Sequence, residues 1–410
     1  MKKWWQRAII FFGILGPGFI TSTADNDAGG IATYAITGAQ EGYSLLWVLL
    51  LVTFSLGIIQ EMSSRMGIVT GQGLAGLIRE KFGVRWTLLA MVLLFFANIC
   101  VTVSNFSGIA AAMELFGVSR FLSLPFFVIF ILWLLLKGTY RFVEKVFLFS
   151  SLFYFAYVIS GFMAKPEWPK IAAGLIPSFK TDTNYLILVI ALIGTTITPW
   201  MQFYLQSSIA EKRIKLVHLK YSSAEVYIGA FFTDFISLFI IIATAATLFK
   251  AGITIDTAEH AALALKPLVG KYCSLLFAIG LLNASLLAAS VLPVSTSYAI
   301  CEAFGWESGL NKKLKEAPVF FSIFALTAAI GAGVVLLPHI NLMKVMLLSQ
   351  TVNGILLPFI LIFMLLIIND KKIMGEYCNS LTRNIVSYLT AGGLIILTGM
   401  LLVYSIKDLF

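Results

Sequence analysis

Eleven stretches of this chain are apolar over about 20 residues, and such a stretch has few folds open to it. They lie at 8–38, 44–64, 86–114, 120–137, 142–163, 185–210, 222–249, 271–302, 318–337, 340–368 and 384–406. In hydrocarbon each backbone N–H and C=O must find a partner within the protein, which leaves helices or closed barrels. Segments this long are helices. The chain is 59% hydrophobic and 12% charged, far from soluble usage. The predicted class is therefore an all-α polytopic membrane protein. No soluble domain fits, because the longest connections are only 164–184 and 250–270. The opening MKKWWQR and its apolar run imitate a signal peptide. No small-residue cleavage site precedes the first polar break, so the run reads as a retained first helix. Cys100, Cys273, Cys301 and Cys378 show no metal-ligand spacing and read as free thiols.

The net charge of +9 would suggest nucleic acid in a soluble protein. Here membrane topology accounts for it. With the N-terminus in the cytoplasm, the inner connections hold Lys2, Lys3, Arg7, Arg65, Arg79, Lys81, Arg85, Lys137, Arg141, Lys145, Lys212, Arg213, Lys215, Lys220, Lys312, Lys313, Lys315, Lys371, Lys372 and Arg383. These are 20 of the 29 lysines and arginines. Every inner connection is basic, as the positive-inside rule requires. Eleven spans then put the C-terminus outside. The expected setting is the plasma (inner) membrane, with the bilayer as partner and no nucleic acid or obligate protein partner.

Two polar breaks interrupt this pattern. "TADNDAGG", Thr23 to Gly30, sits inside the first stretch, and "GTTITPWMQ", Gly194 to Gln202, inside the sixth. Interrupted helices five apart point to two inverted five-helix repeats meeting at a binding site. The organisation expected is a first repeat over 1–163, an extracellular connection over 164–184, a second repeat over 185–368, and a cytoplasmic loop with an eleventh helix over 369–410.

Unwinding a helix in the membrane frees backbone groups that need partners. Pro199 removes a donor, and Gly29 and Gly30 ease non-helical backbone. Freed carbonyls suit a cation, and Asp27 adds a charge that is expensive unless paired. Asp27 can alternatively cap the second half-helix. Asp25, two residues earlier, is a weaker candidate facing the outer vestibule or solvent. Thr195, Thr196, Thr198 and Gln202 offer oxygens in the sixth segment, and Met201 reads as packing. Gln350 and Asn353, one turn apart on the tenth segment, can ligate or hold helices together. Asp234, alone in an apolar run, is placed near the ion path. The histidines His218, His260 and His339 fall in loops. An oxygen-only shell suits Mg²⁺, Ca²⁺ or Mn²⁺ rather than Zn²⁺ or Cu. Mg²⁺ gives up water reluctantly, and Gly30 leaves room for it.

At these residues the chain resembles the Nramp family of divalent-metal transporters. Gly16-Pro17-Gly18 and Asp27-Ala28-Gly29-Gly30-Ile31-Ala32-Thr33 follow the family's GPG…DPGN-x-AT. "GYSLLWVLLL" from Gly42, "SSRMGIVTG" from Ser63, "TVSNFSGIAAA" from Thr102, "STSYAICEAFG" from Ser295 and "LLSQTVNGILLPF" from Leu347 match in order. The resemblance implies a LeuT-type inverted repeat of 5+5 helices plus an eleventh, with metal between interrupted helices 1 and 6. The departures matter as much. Gly30 stands at the family's metal-binding asparagine. The family's Ala-x-x-Met-Pro-His becomes Thr195-Thr196-Ile197-Thr198-Pro199-Trp200, or Pro199 replaces the methionine if "FYLQS" sets the register. Both family histidines are missing, with Gln206 at the second. The acidic proton-path positions of helix three read Asn98, Asn105 and Gly108, and Ala317-Pro318-Val319 replaces the paired arginines near helix nine. Neutral groups cannot relay protons by changing charge.

This pattern is similar to the Nramp-related magnesium transporters. It implies Mg²⁺ and Mn²⁺ as transported substrates, with no cofactor and no proton coupling. The alternative is a proton-coupled Mn²⁺/Fe²⁺ symporter, for which Asp234 and Glu61 would offer a different proton route. A sodium-driven amino-acid carrier is disfavoured because Asp27 would repel a substrate carboxylate. An intramembrane enzyme is disfavoured because no His/Glu pair, Gly-x-Ser-x-Gly or Ser/Lys arrangement lies in the apolar segments. A channel is disfavoured by the two-half symmetry.

Overall fold

The computed structural model describes residues 17–136, 151–310 and 312–407. Gly16, Lys2, Lys3, Arg7, Lys137, Arg141 and Lys145 lie outside the described residues, as do the start of the first apolar stretch and most of the first half of the fifth. Among the described residues the regular structure is helical throughout. Eight helical runs there are long and apolar enough to cross a membrane.

The helices follow the apolar pattern closely. The first stretch is split into α1 (Pro17–Asp25) and α2 (Ala28–Glu41), followed by α3 (Leu46–Thr70). Next come α4 (Leu74–Leu115), α5 (Arg120–Leu136) and α6 (Phe155–Met163). The sixth stretch is split into α8 (Thr183–Thr196) and α9 (Pro199–Glu211), after a short α7 (Trp168–Gly174) in the connection. α10 (Leu219–Thr244), α11 (Cys273–Phe304), α12 (Pro318–Val335), α13 (Leu342–Ile368) and α14 (Leu381–Lys407) complete the bundle.

Some boundaries differ from the sequence expectation. α4 starts at Leu74 rather than near residue 86, because Leu74, Leu77 and Ile78 bury an apolar face of their own. Gly83 then kinks the helix with φ 77°, a left-handed conformation that glycine adopts at little cost. His260 lies in a short helix, Ala258–Ala262, and His218 ends a 3₁₀ turn, while His339 is in a loop. All four cysteines are free.

Phe126, Ile129, Leu389 and Ile396 point outward and exposed, an arrangement that only lipid makes favourable. Inside, small residues bring helices together. A side chain on Gly194 would collide with the Gln350 carbonyl and the Gly354 backbone, and one on Gly354 would meet the Ile190 carbonyl. α8 and α13 therefore touch backbone to backbone, as small-residue interfaces in membranes do. At one end of the bundle, buried Arg65 pairs with Glu61 at 3.2 Å and donates to the Tyr377 and Cys378 carbonyls at 2.9 and 3.0 Å. This ties the loop before α14 to α3.

Candidate metal site

The break in the first stretch is two residues long. α1 stops at Asp25, and Asp27 caps α2 in extended backbone, with φ −78° and ψ −176°. Its Oδ1 accepts the Gly30 N–H at 2.7 Å. The capping alternative therefore holds for one oxygen. The other, Oδ2, accepts from Asn105 Nδ2 at 2.9 Å, and Gln350 Nε2 stands 3.5 Å from Oδ1. Asn105 reaches across from α4, and its Oδ1 accepts the Ala28 N–H at 3.2 Å. Asn26 fixes the turn from behind. Its carbonyl accepts from the Tyr154 hydroxyl at 2.9 Å, its Nδ2 donates to the Thr233 carbonyl at 3.3 Å, and its Oδ1 accepts from Ser237 at 3.1 Å.

The second break leaves Ile197 and Thr198 non-helical between α8 and α9, with Pro199 opening α9. Proline fits there because the first helical N–H has no partner in any case. The two breaks meet at Gly30. The point where a side chain on Gly30 would begin lies 3.1 Å from the Asp25 carbonyl oxygen, 3.3 Å from Thr195 Oγ1 and 3.5 Å from Asp27 Oδ1. Three oxygens from both broken helices thus border one space. Thr195 Oγ1 is buried without a hydrogen-bond partner.

The remaining sequence candidates divide by what already engages them. The Thr196 hydroxyl is shared by the Leu192 carbonyl at 2.8 Å and the Tyr34 hydroxyl at 2.9 Å. Gln202 turns toward α3, where its Oε1 accepts from Ser63 at 2.9 Å. Gln350 Oε1 accepts from Asn353 Nδ2 at 2.8 Å, so Asn353 supports Gln350, while Asn353 Oδ1 is buried and unpartnered. Thr198 Oγ1 is buried and unpartnered. Asp25 is 2% exposed, not at a solvent-facing vestibule as expected, because α10 packs over α1. Asp234 is buried at 3%.

Helix three behaves differently at each of its three singled-out positions. Asn105 holds Asp27, a role that the sequence reading did not give it. Asn98 Nδ2 donates to Thr296 Oγ1 at 2.8 Å and joins α4 to α11. A side chain on Gly108 would collide with Ala28 Cβ and Ser285 Oγ, so glycine is what lets α4 approach the break. Met201 receives only the Gln60 amide, at 3.9 Å, and is fully buried, as packing requires. Among the described residues, no three His, Cys, Asp or Glu side chains converge as a ligand set. The oxygens that border the space at Gly30 are one carboxylate, one hydroxyl and one main-chain carbonyl, all hard donors.

A helical membrane bundle with two broken helices facing each other around buried oxygens defines a multi-pass transporter. The chain belongs to the Nramp family: the family described as natural resistance-associated macrophage protein-like matches residues 18–404. It is 28% identical over 409 residues to the divalent metal cation transporter MntH of Caldanaerobacter subterraneus subsp. tengcongensis, covering 97% of this chain and 94% of that one. Among solved structures, a manganese transporter of Eremococcus coleocola shares the fold at a TM-score of 0.75 and 22% identity, covering 96% of this chain and 86% of that one. MhsT in complex with L-phenylalanine does so at a TM-score of 0.62 and 15% identity, covering 95% of this chain and 97% of that one. The fold is that of a LeuT-type membrane transporter, as the sequence indicated.

Proposed function

We propose that this protein carries divalent metal ions, Mg²⁺ and Mn²⁺, across the membrane by alternating access, down the electrochemical gradient and without proton coupling. The space at Gly30, bordered by the Asp25 carbonyl, Thr195 Oγ1 and Asp27 Oδ1, carries this reading. Its oxygens are hard donors. They converge where Gly30 carries no side chain, so a cation can approach the broken backbone there. The relatives described as divalent metal cation transporters, and the solved manganese transporter, support the cargo class. Ligand roles go to Asp27, Thr195 and Gln350, with Thr196 and Gln202 holding the break in shape.

Uniport is supported by what stands on helix three. Asn98, Asn105 and Gly108 carry no titratable group, and Asn105 is committed to Asp27. Glu61 is compensated by Arg65 at 3.2 Å and Arg383 at 3.5 Å, in the ion pairs that tie α3 to the start of α14. The inside-negative potential would drive entry by ~2.3 kcal/mol per charge per 100 mV, about twice that for a divalent ion. The basic inner connections favour a cytoplasmic N-terminus and an external C-terminus, and the paired breaks favour inverted repeats over 1–163 and 185–368.

Uptake into proteoliposomes, with internal pH followed in the same vesicles, tests the proposal. Mg²⁺ entry without a pH change is expected. Mn²⁺ uptake with acidification and no Mg²⁺ entry would instead establish proton-coupled Mn²⁺/Fe²⁺ symport. Selectivity has its own test. Gly30→Asn puts a side chain where the Asp25 carbonyl is only 3.1 Å away, filling the space a hydrated ion needs. It should lower Mg²⁺ uptake by roughly tenfold, about 1.4 kcal/mol, while Mn²⁺ uptake changes less. An unchanged Mg²⁺/Mn²⁺ ratio would sink the hydrated-ion idea.

A further inference from the structure

Two buried carboxylates have no cationic partner among the described residues, where the only donors facing them are hydroxyls: Thr198 beside Asp25 and Thr53 beside Asp234. Asp25 closes α1 and Asp234 lies midway along α10, at 2% and 3% exposure. None of their four oxygens accepts a hydrogen bond among the described residues. The seven ion pairs described leave both unpaired as well. α10 is clamped onto this end of α1, with Thr233 Oγ1 donating to the Ser22 carbonyl at 2.6 Å. The two side chains stand within electrostatic reach of each other across that contact. A third polar group joins them: the Thr198 hydroxyl, 3% exposed, faces the Asp25 carboxylate and has no close hydrogen-bond partner elsewhere among the described residues.

A buried carboxylate without donors costs several kcal/mol, and a second one facing it adds repulsion. Asparagine would fit either position with no charge to compensate. The complement of four carboxylate oxygens and one hydroxyl is a cation, and two negative charges match a divalent one. Asp25 also links this cluster to the space at Gly30, since its main-chain carbonyl borders that space at 3.1 Å. One residue thus offers its carbonyl to one site and its carboxylate to the other.

We propose that Asp25, Asp234 and Thr198 form a second divalent-cation site, between α1, α9 and α10, adjoining the site of Asp27. The proposal rests on the metal-transport reading and adds a station to the same path. Two stations let an arriving ion weaken the hold on the one ahead of it, which eases release from an otherwise deep carboxylate site.

Mn²⁺ binding to the purified full-length protein in detergent, counted by equilibrium dialysis and electron paramagnetic resonance, is the test. The native protein should bind two ions per chain. Asp234→Asn and Asp25→Asn, near-isosteric changes that leave Asp27 in place, should each bind one. Asp234→Glu should restore the second ion, which a merely structural role for Asp234 would not require. One ion per native chain, lost in Asp27→Asn, would overturn the second site and leave the transport reading standing. Two ions bound by monodisperse Asp234→Asn would overturn it equally, showing that Asp234 holds neither of them. No binding at all to the native protein would remove the transport reading itself.

Discussion

Asp27→Ala is expected to reduce Mg²⁺ and Mn²⁺ uptake into proteoliposomes at least about 100-fold, to the level of vesicles without protein. A hundredfold loss corresponds to about 2.7 kcal/mol, a modest figure for deleting the carboxylate beside the Gly30 space. Alanine also removes the cap of α2 and one of the two acceptors of Asn105 Nδ2, which still donates to the Val101 carbonyl at 2.9 Å; together these cost about 1–3 kcal/mol of stability. Asp27→Asn separates the two effects. Its amide oxygen still accepts the Gly30 N–H, so the break keeps its shape while the charge is gone. Melting temperature should fall more for alanine than for asparagine, whose new amide N–H₂ meets the Asn105 donor, with transport lost in both. Native uptake by a monodisperse Asp27→Asn variant would remove the basis of the proposed function.

Gly108→Asp is expected to cost the protein its fold rather than supply a proton path. The new Cβ would overlap Ala28 Cβ and Ser285 Oγ, and the Ser285 hydroxyl already serves the Leu281 carbonyl. Overpacking costs about 1–3 kcal/mol, and an unpaired buried charge several more. Expression should drop sharply, with the remainder aggregating on size-exclusion in detergent. Gly108→Ala should show a milder version, as a lower melting temperature. A folded Gly108→Asp variant that acidifies vesicles during uptake would mean that the helices can part, and that proton coupling was lost by a single replacement.

Much of this was legible in the sequence because long apolar runs leave a helix no alternative. Each stretch within the described residues became a helix, and the breaks fell at Asn26–Asp27 and Ile197–Thr198, inside the polar segments that announced them. Gly30 and Asp27 were legible because local chemistry singles them out. What escaped depends on contacts between distant residues. Asn105 lies 78 residues from Asp27, and nothing local distinguishes it from an asparagine that only joins helices, such as Asn98. Gln202 and Thr196 looked like free oxygen donors until Ser63, Tyr34 and the Leu192 carbonyl were seen to occupy them. Asp25 was placed toward solvent because a sequence does not tell which helix will cover α1.

The backbone contact between Gly194 and Gly354 leaves α8 and α13 no slack to slide past each other. Any side chain at either glycine would collide with the facing main chain, so the two helices meet too closely to slide far. Gly29 extends the block, since its missing side chain admits the Gln350 amide and seats α2 against α13. Shear is thereby closed off as a mode of motion, and bending is what remains. The pliable points are the two unwound turns, where α1 and α9 diverge from this block. Under the proposed function, the residues that would border the ion are also these joints, which would make loading and tilting mechanically one event.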